Sequence, residues 1–162
     1  MYLQLDEKFF QKLLSQADKS PRMRSHYTLH KHENESVQRL CVGLKKGTYV
    51  RPHHHQQLNK WELLIVLKGS IALVIFNNDG VVLKRFKLNP SESLNGIEIE
   101  PNTWHTVFPV TDEAVFLEVK EGPYTPTVNF DFAPWAPKEG NADVPIFQKW
   151  LETAQKGEKY AK

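Results

Sequence analysis

The chain has one cysteine, Cys41, so no internal disulfide can form and nothing argues for an oxidising compartment. A reducing cytoplasm is the expected setting, with Cys41 a small buried hydrophobe on a strand rather than a reactive thiol. Long hydrophobic runs are also missing. The longest, Leu63 to Leu67, is strand-sized and far short of the ~20 apolar residues that span a bilayer. The amino terminus, MYLQLDEKFFQKLL, carries acids where a secretory signal needs a basic head. No membrane association is expected. An excess of one charge is absent too: 21 basic and 19 acidic residues leave a net charge of +2. No stripe of Lys and Arg is interleaved with aromatics, which argues against nucleic acid as a partner. With 40% hydrophobic and 25% charged residues among 162, the composition is that of an ordinary globular domain, large enough to bury a core without cross-links.

The pattern that is present changes twice along the chain. Phe9, Phe10, Leu13, Leu14 and Ala17 form the stripe of an amphipathic helix over Asp6–Ala17, with Asp6 as its N-cap and Ser20-Pro21 ending it. From Val37 the period becomes that of strands, predicted at 37–44, 48–55, 61–68, 70–76, 81–88, 96–100, 104–109 and 114–120. Gly69, Asn77 to Gly80, Pro90-Ser91 and Thr111 to Glu113 supply turns, so most connections read as hairpins. Such a chain closes into a β-barrel or jelly roll. After Lys120, a proline- and aromatic-rich arm with Tyr124, Phe130, Phe132 and Trp135 is too apolar for a free linker and is expected to lie over the barrel or a partner subunit. A short helix over Ile146–Ala154 follows, with Phe147, Trp150 and Leu151 inward, and then a basic tail expected to fray. The whole reads as one domain over 1–162: a helix and lead-in at 1–36, a barrel at 37–120, and arm plus helix at 121–162.

The chemistry concentrates in His53, His55, Glu62 and His105. His53 and His55 are two apart, which sends both imidazoles to one face of a strand while His54 points away. Glu62 opens the otherwise apolar strand WELLIVLKG, where an uncompensated carboxylate would be costly. That strand is expected to pair with the histidine strand. His105 follows the Pro101-Asn102 turn and can close the site from the other side. Three imidazoles and a carboxylate suit one divalent transition metal, Zn, Fe, Mn, Co or Ni, with positions left for water or substrate. The same periodicity turns Tyr49 and Arg51 inward with the histidines. Arg51 is then a candidate hook for a carboxylate or phosphate, against an Arg bent to solvent or paired with Glu98 or Glu118. Glu62, Arg51 and Tyr49 are the candidate catalytic residues; Arg51, Arg39, Glu118 and Lys120 are candidates for binding substrate. Trp135 and Tyr124 read as packing of the arm ahead of a sugar-stacking platform.

Gly47, His53, His55, Glu62 and Gly69 resemble the first motif of the cupins, with one departure: six residues separate His55 from Glu62, more than is usual. Pro101, Asn102 and His105 resemble the second motif, with Asn102 in place of its glycine and Pro109 in place of its asparagine. Over SPRMRSHYTLH, VQRLCVGLKKGTYVRPHHH, WELLIVLKGSIALVIF, GIEIEPNTWHTV, FLEVKEGPY and DFAPWAPKEG, the chain resembles the WbuC family of cupin-fold metalloproteins. The resemblance implies a bacterial source, a double-stranded β-helix, a metal bound by the cupin histidines and glutamate, and an association with surface-polysaccharide gene clusters. It brings no established reaction. Three functions follow as expectations: a metalloenzyme performing isomerase, epimerase or lyase chemistry on a sugar-like, carboxylated or phosphorylated substrate; an iron-dependent oxygenase; or a non-catalytic binder or regulator holding a sugar or metal. Oxygen uptake by iron-loaded protein separates the first two. A homodimer is expected from the aromatic arm and strand edges.

Overall fold

The computed structural model describes residues 2–57, 60–126 and 128–161. Helix α1 spans Glu7–Lys19, and Asp6 caps it by accepting a hydrogen bond from the Phe9 amide at 2.9 Å. Its apolar stripe, Phe10, Leu13, Leu14 and Ala17, is buried, each large side chain contributing roughly 1.5–3 kcal/mol. The helix ends at Ser20, where the backbone turns extended ahead of Pro21.

The described residues form eight strands: β1 Arg24–Thr28, β2 Val37–Lys45, β3 Glu62–Lys68, β4 Ile71–Phe76, β5 Val82–Leu88, β6 Gly96–Ile99, β7 Trp104–Pro109 and β8 Glu113–Glu121. They make two antiparallel sheets, β1-β2-β8-β3-β6 and β5-β4-β7, packed face to face as the double-stranded β-helix expected from the sequence. The expectation of hairpins is corrected. Only β1–β2 and β4–β5 are consecutive strands paired with each other; the connections β3–β4, β5–β6, β6–β7 and β7–β8 cross between sheets. At one such crossing Gly69 has φ +71°, and a Cβ there would lie 2.3 Å from the Glu113 carbonyl oxygen. No side chain fits where these two corners meet.

Alternation sorts the side chains. Val42, Leu44, Leu64, Val66, Ile71, Leu73, Leu88, Val107 and Phe116 fill the space between the sheets. On the outer face of the larger sheet, α1 packs Phe10, Leu13 and Leu14 against Cys41 and Val115. Cys41 is fully buried, which pushes its thiol up to about 11 and leaves it inert. On the outer face of the smaller sheet, α2 (Val144–Thr153) packs Phe147 and Leu151 against Val74, Phe76 and Val82.

Three further expectations are corrected. Strand β1 lies in the lead-in, where no strand was expected; its ladder with β2 supplies the pairing that an exposed, weakly alternating sequence does not announce. Residues 48–55 do not form a regular strand: His53 makes single bridges to His105 and Phe132. The basic tail does not fray, because the Glu158 carbonyl accepts from the Val82 amide and the Val82 carbonyl from the Gly157 amide, both at 2.8 Å. That pairing covers the open edge of β5.

Candidate metal centre

The inner face of the larger sheet places charges in register. Gln38, Lys120, Glu62 and Ile99 lie side by side across β2, β8, β3 and β6, with Leu40, Glu118, Leu64 and Ile97 in the next inward row. Glu62 is thus presented from the larger sheet. The imidazoles come from the smaller one. His105 opens β7, and the Asn102 turn before it has φ 60° with its amide donating to the His55 carbonyl at 3.1 Å. The extended segment carrying His53 and His55 is held beside β7, since the amides of His53 and His105 each donate to the other's carbonyl, at 3.0 and 2.9 Å. On its other side the arm closes the ladder through His54 to Asp131 and Ala133 to Pro52. The expected pairing of the Glu62 strand with the histidine segment is therefore corrected: β3 pairs with β6 and β8. The carboxylate meets the imidazoles across the barrel interior rather than along a ladder.

His53, His55 and Glu62 form one cluster, and His105 adjoins it through Glu62. His55 Nε2 donates to Glu62 Oε1 at 2.9 Å and His105 Nε2 to Glu62 Oε2 at 3.0 Å. Ligand atoms of His53, His55 and Glu62 lie within 4.8 Å of one another, close enough to bind a metal. The His53 and His105 ring centroids are 4.4 Å apart. His54 turns outward and stacks on Trp104 at 3.7 Å, as alternation requires. His53 Nδ1 donates to the Arg51 carbonyl at 3.0 Å and His105 Nδ1 to the Thr103 carbonyl at 2.8 Å. Both rings are fixed with Nε2 facing the site, the arrangement that orients a metal-ligating histidine. The residues present therefore fit a divalent transition metal.

Burial and charge act against each other here. Burial, reinforced by the neighbouring His105, pulls the His53 imidazole down to about 3, so it is neutral and has a lone pair to give. Burial opposes charge on Glu62, but hydrogen bonds from His105 and His55 outweigh it and hold the carboxyl well below its ordinary value. Burial likewise disfavours the His105 cation, and the bond and charge of Glu62 reverse the balance and raise it. Lys120 lies 3.4 Å from Glu62 Oε1 and 2.6 Å from Glu118 Oε1; these carboxylates outweigh burial and keep it cationic.

The site opens into a cavity of about 390 Å³, within the range of small-molecule pockets. Arg51, Glu118 and Lys120 line it. Two candidates fall outside it. Tyr49 is under α2, its hydroxyl donating to the Pro137 carbonyl at 2.8 Å and its ring 6.0 Å from Phe147; the segment twists between Tyr49 and His53, so strand alternation does not carry through. Arg39 faces outward toward Glu35 at 3.8 Å, because its neighbour Gln38 takes the inward position. Neither Glu98 nor Glu118 pairs with Arg51. Trp135 packs on Phe76 and lies against Gly80, while Tyr124 reaches the cavity wall. Arg24 and Phe132, also in that wall, were missed; the first lies in the unanticipated β1 and the second comes from the arm.

Several solved structures share this fold. The chain is similar to a cupin 2 domain-containing protein from Halorhodospira halophila at 18% identity and TM-score 0.51, covering 82% of this chain and 85% of that one. It is similar to KdgF from Halomonas sp. at 13% identity and TM-score 0.50, over 65% and 84% of the two chains. CapF, solved with the inhibitor 3-isopropenyl-tropolone, matches at 18% identity and TM-score 0.54 over 66% of this chain and 30% of CapF. At such identities the likeness is one of fold, and that fold is the cupin double-stranded β-helix. No curated protein matches the sequence. Residues 5–88, just over half of the chain and including His53, His55 and Glu62, match the family described as domain of unknown function DUF6016, and the chain belongs to that family.

Proposed function

We propose that the protein is a metal-dependent cupin enzyme of the WbuC type, in which His53, His55, Glu62 and His105 hold one divalent transition metal beside a small-molecule pocket. The observation that carries this reading is the carbonyl-held Nδ1 of His53 and of His105, which leaves each Nε2 for the centre: that of His105 reaches Glu62 at 3.0 Å, and His53 clusters with His55 and Glu62. A metal held there supplies Lewis-acid polarisation of a carbonyl or hydroxyl oxygen. The chain's own residues do the rest. Glu62 neutralises charge at the centre, Lys120 and Glu118 hold a polar wall beside it, and the barrel interior excludes bulk water. A sugar-like, carboxylated or phosphorylated substrate, and isomerase, epimerase or lyase chemistry, suit this arrangement. A role in bacterial surface-polysaccharide synthesis, a cytoplasmic location and a homodimer complete the proposal; among the described residues no helix is long and apolar enough to cross a membrane.

Elemental analysis of protein expressed without a tag tests the centre. Wild type should carry close to one transition-metal ion per chain, and His55→Ala and His105→Ala should each lose at least tenfold in metal content. Wild type without metal, or variants that retain it, overturns the assignment.

A further inference from the structure

Among the described residues, four arginine and lysine side chains line the cavity: Arg22, Arg24, Arg51 and Lys120. Three of them face carboxylates within the protein. Arg22 and Arg24 share Glu139, and Lys120 lies between Glu118 and Glu62. Arg51 differs. Among the described residues no carboxylate pairs with its guanidinium, and its buried Nε has no hydrogen-bond partner. It is nevertheless held in place: Nη2 donates to the Ala133 carbonyl at 2.7 Å, and the guanidinium carbon sits 5.3 Å from the centroid of the Phe132 ring. Those contacts are with neutral groups, which orient the fork without cancelling its charge. A partly buried cation lacking a counter-ion leaves electrostatic attraction unused, and a bound anion would use it. Arg51 is also tied directly to the centre, because its carbonyl accepts the His53 Nδ1 proton at 3.0 Å.

We propose that Arg51 is the anion-binding residue of this pocket, and that the ligand is a small molecule bearing a carboxylate or phosphate, which docks on the guanidinium while the remainder of the molecule reaches toward His53, His55 and Glu62. Only the second half of this statement rests on the metal-centre reading. Phe132 and Ala133 come from the C-terminal arm, so the arm sets the specificity of the pocket by aiming Arg51.

Titration calorimetry on the full chain, with inorganic phosphate and with glycolate as probes, tests the assignment. Saturable binding of at least one probe to wild type is expected, and the one that binds identifies the anion class. Arg51→Gln should weaken it at least tenfold. Arg51→Lys, which keeps the charge and loses the fork, should fall in between, and provides the test should the glutamine variant not fold. Lys87→Gln, at an exposed pair with Glu92, should leave binding unchanged. Absence of binding to wild type, or binding indifferent to Arg51, overturns the proposal. Metal content measured on the same samples separates the two readings: Arg51-dependent anion binding without metal leaves the anion site standing and removes the metal centre, and stoichiometric metal with Arg51-independent binding does the reverse.

Discussion

Between the two sheets, one end of the interior is lined by Leu44, Val66, Leu73, Val107 and Phe116, while the other carries Glu62, Lys120, His53 and His105. The same strands supply both. On β3 the inward series runs Val66, Leu64, Glu62; on β8 it runs Phe116, Glu118, Lys120; on β7 it passes from Val107 to His105. Within two to four residues of each strand, the barrel changes from close-packed hydrocarbon to a network of charges. The apolar end gains stability from burial and needs no partners. The polar end costs desolvation, and its buried Lys120 and Glu62 persist because each meets an opposite charge or a hydrogen-bond donor: Lys120 with Glu118 and Glu62, and Glu62 with the imidazoles of His55 and His105. A functional site of this kind is placed where the packed end can hold it rigid.

Substitution at each end should separate the two roles. Phe116→Ala, at a side chain 2% exposed, should lower the unfolding free energy by about 3–5 kcal/mol in urea titrations while metal content stays unchanged. Glu62→Gln should do the opposite, keeping the far-ultraviolet spectrum of the fold and losing at least tenfold in metal content. If both variants moved both readouts equally, the division of the interior into a structural and a functional end would fail.

Acid should strike the polar end first. The folded value of His53, about 3, lies below the ordinary 6.5, so as the pH drops beneath 6.5 the unfolded chain binds a proton that the native chain refuses, and stability falls. Glu62 adds a loss of the same sign at lower pH, since its depressed carboxyl contributes stability present above 4.5 and lost as the pH falls through its folded value. His105 is raised, and its contribution is lost as the pH rises through its folded value. In chelator-treated protein, urea midpoints should therefore decline steadily from pH 6.5 to pH 4, and His53→Gln should flatten that slope. A midpoint independent of pH across this window would contradict the burial of a neutral His53.

The smallest effect should come from outside the barrel. Asp6→Ala removes the cap of α1 and should cost about 1 kcal/mol, with no change in metal content or anion binding. A change in either would mean that α1 is coupled to the interior through the sheet it covers.

Much of the site was legible along the chain. His-x-His before a turn, a glutamate heading an apolar strand and a histidine after Pro-Asn are local patterns, and Glu118 and Lys120, named as binding candidates, line the cavity. One failure has a clear cause. Tyr49 was given an inward face by assuming a regular strand and counting residues from the histidines. The segment holding His53 has only single bridges on either side, and a chain without a continuous ladder is free to twist. Arg51 kept its predicted place in the cavity, but the contacts that hold it come from Phe132 and Ala133, about eighty residues away.

The amino-acid order alone determined which residues could become ligands, where α1 starts and stops, and that the middle of the chain is built from strands, because capping, alternation and turn chemistry act over a few neighbours. Only the tertiary structure decided which sheet each ligand belongs to, that the carboxylate faces the imidazoles across the interior, and that the carboxyl-terminal arm completes both the ladder and the cavity wall. Those outcomes depend on long-range pairing, and a strand's partner is chosen by the packing of the whole barrel rather than by the residues beside it in the chain.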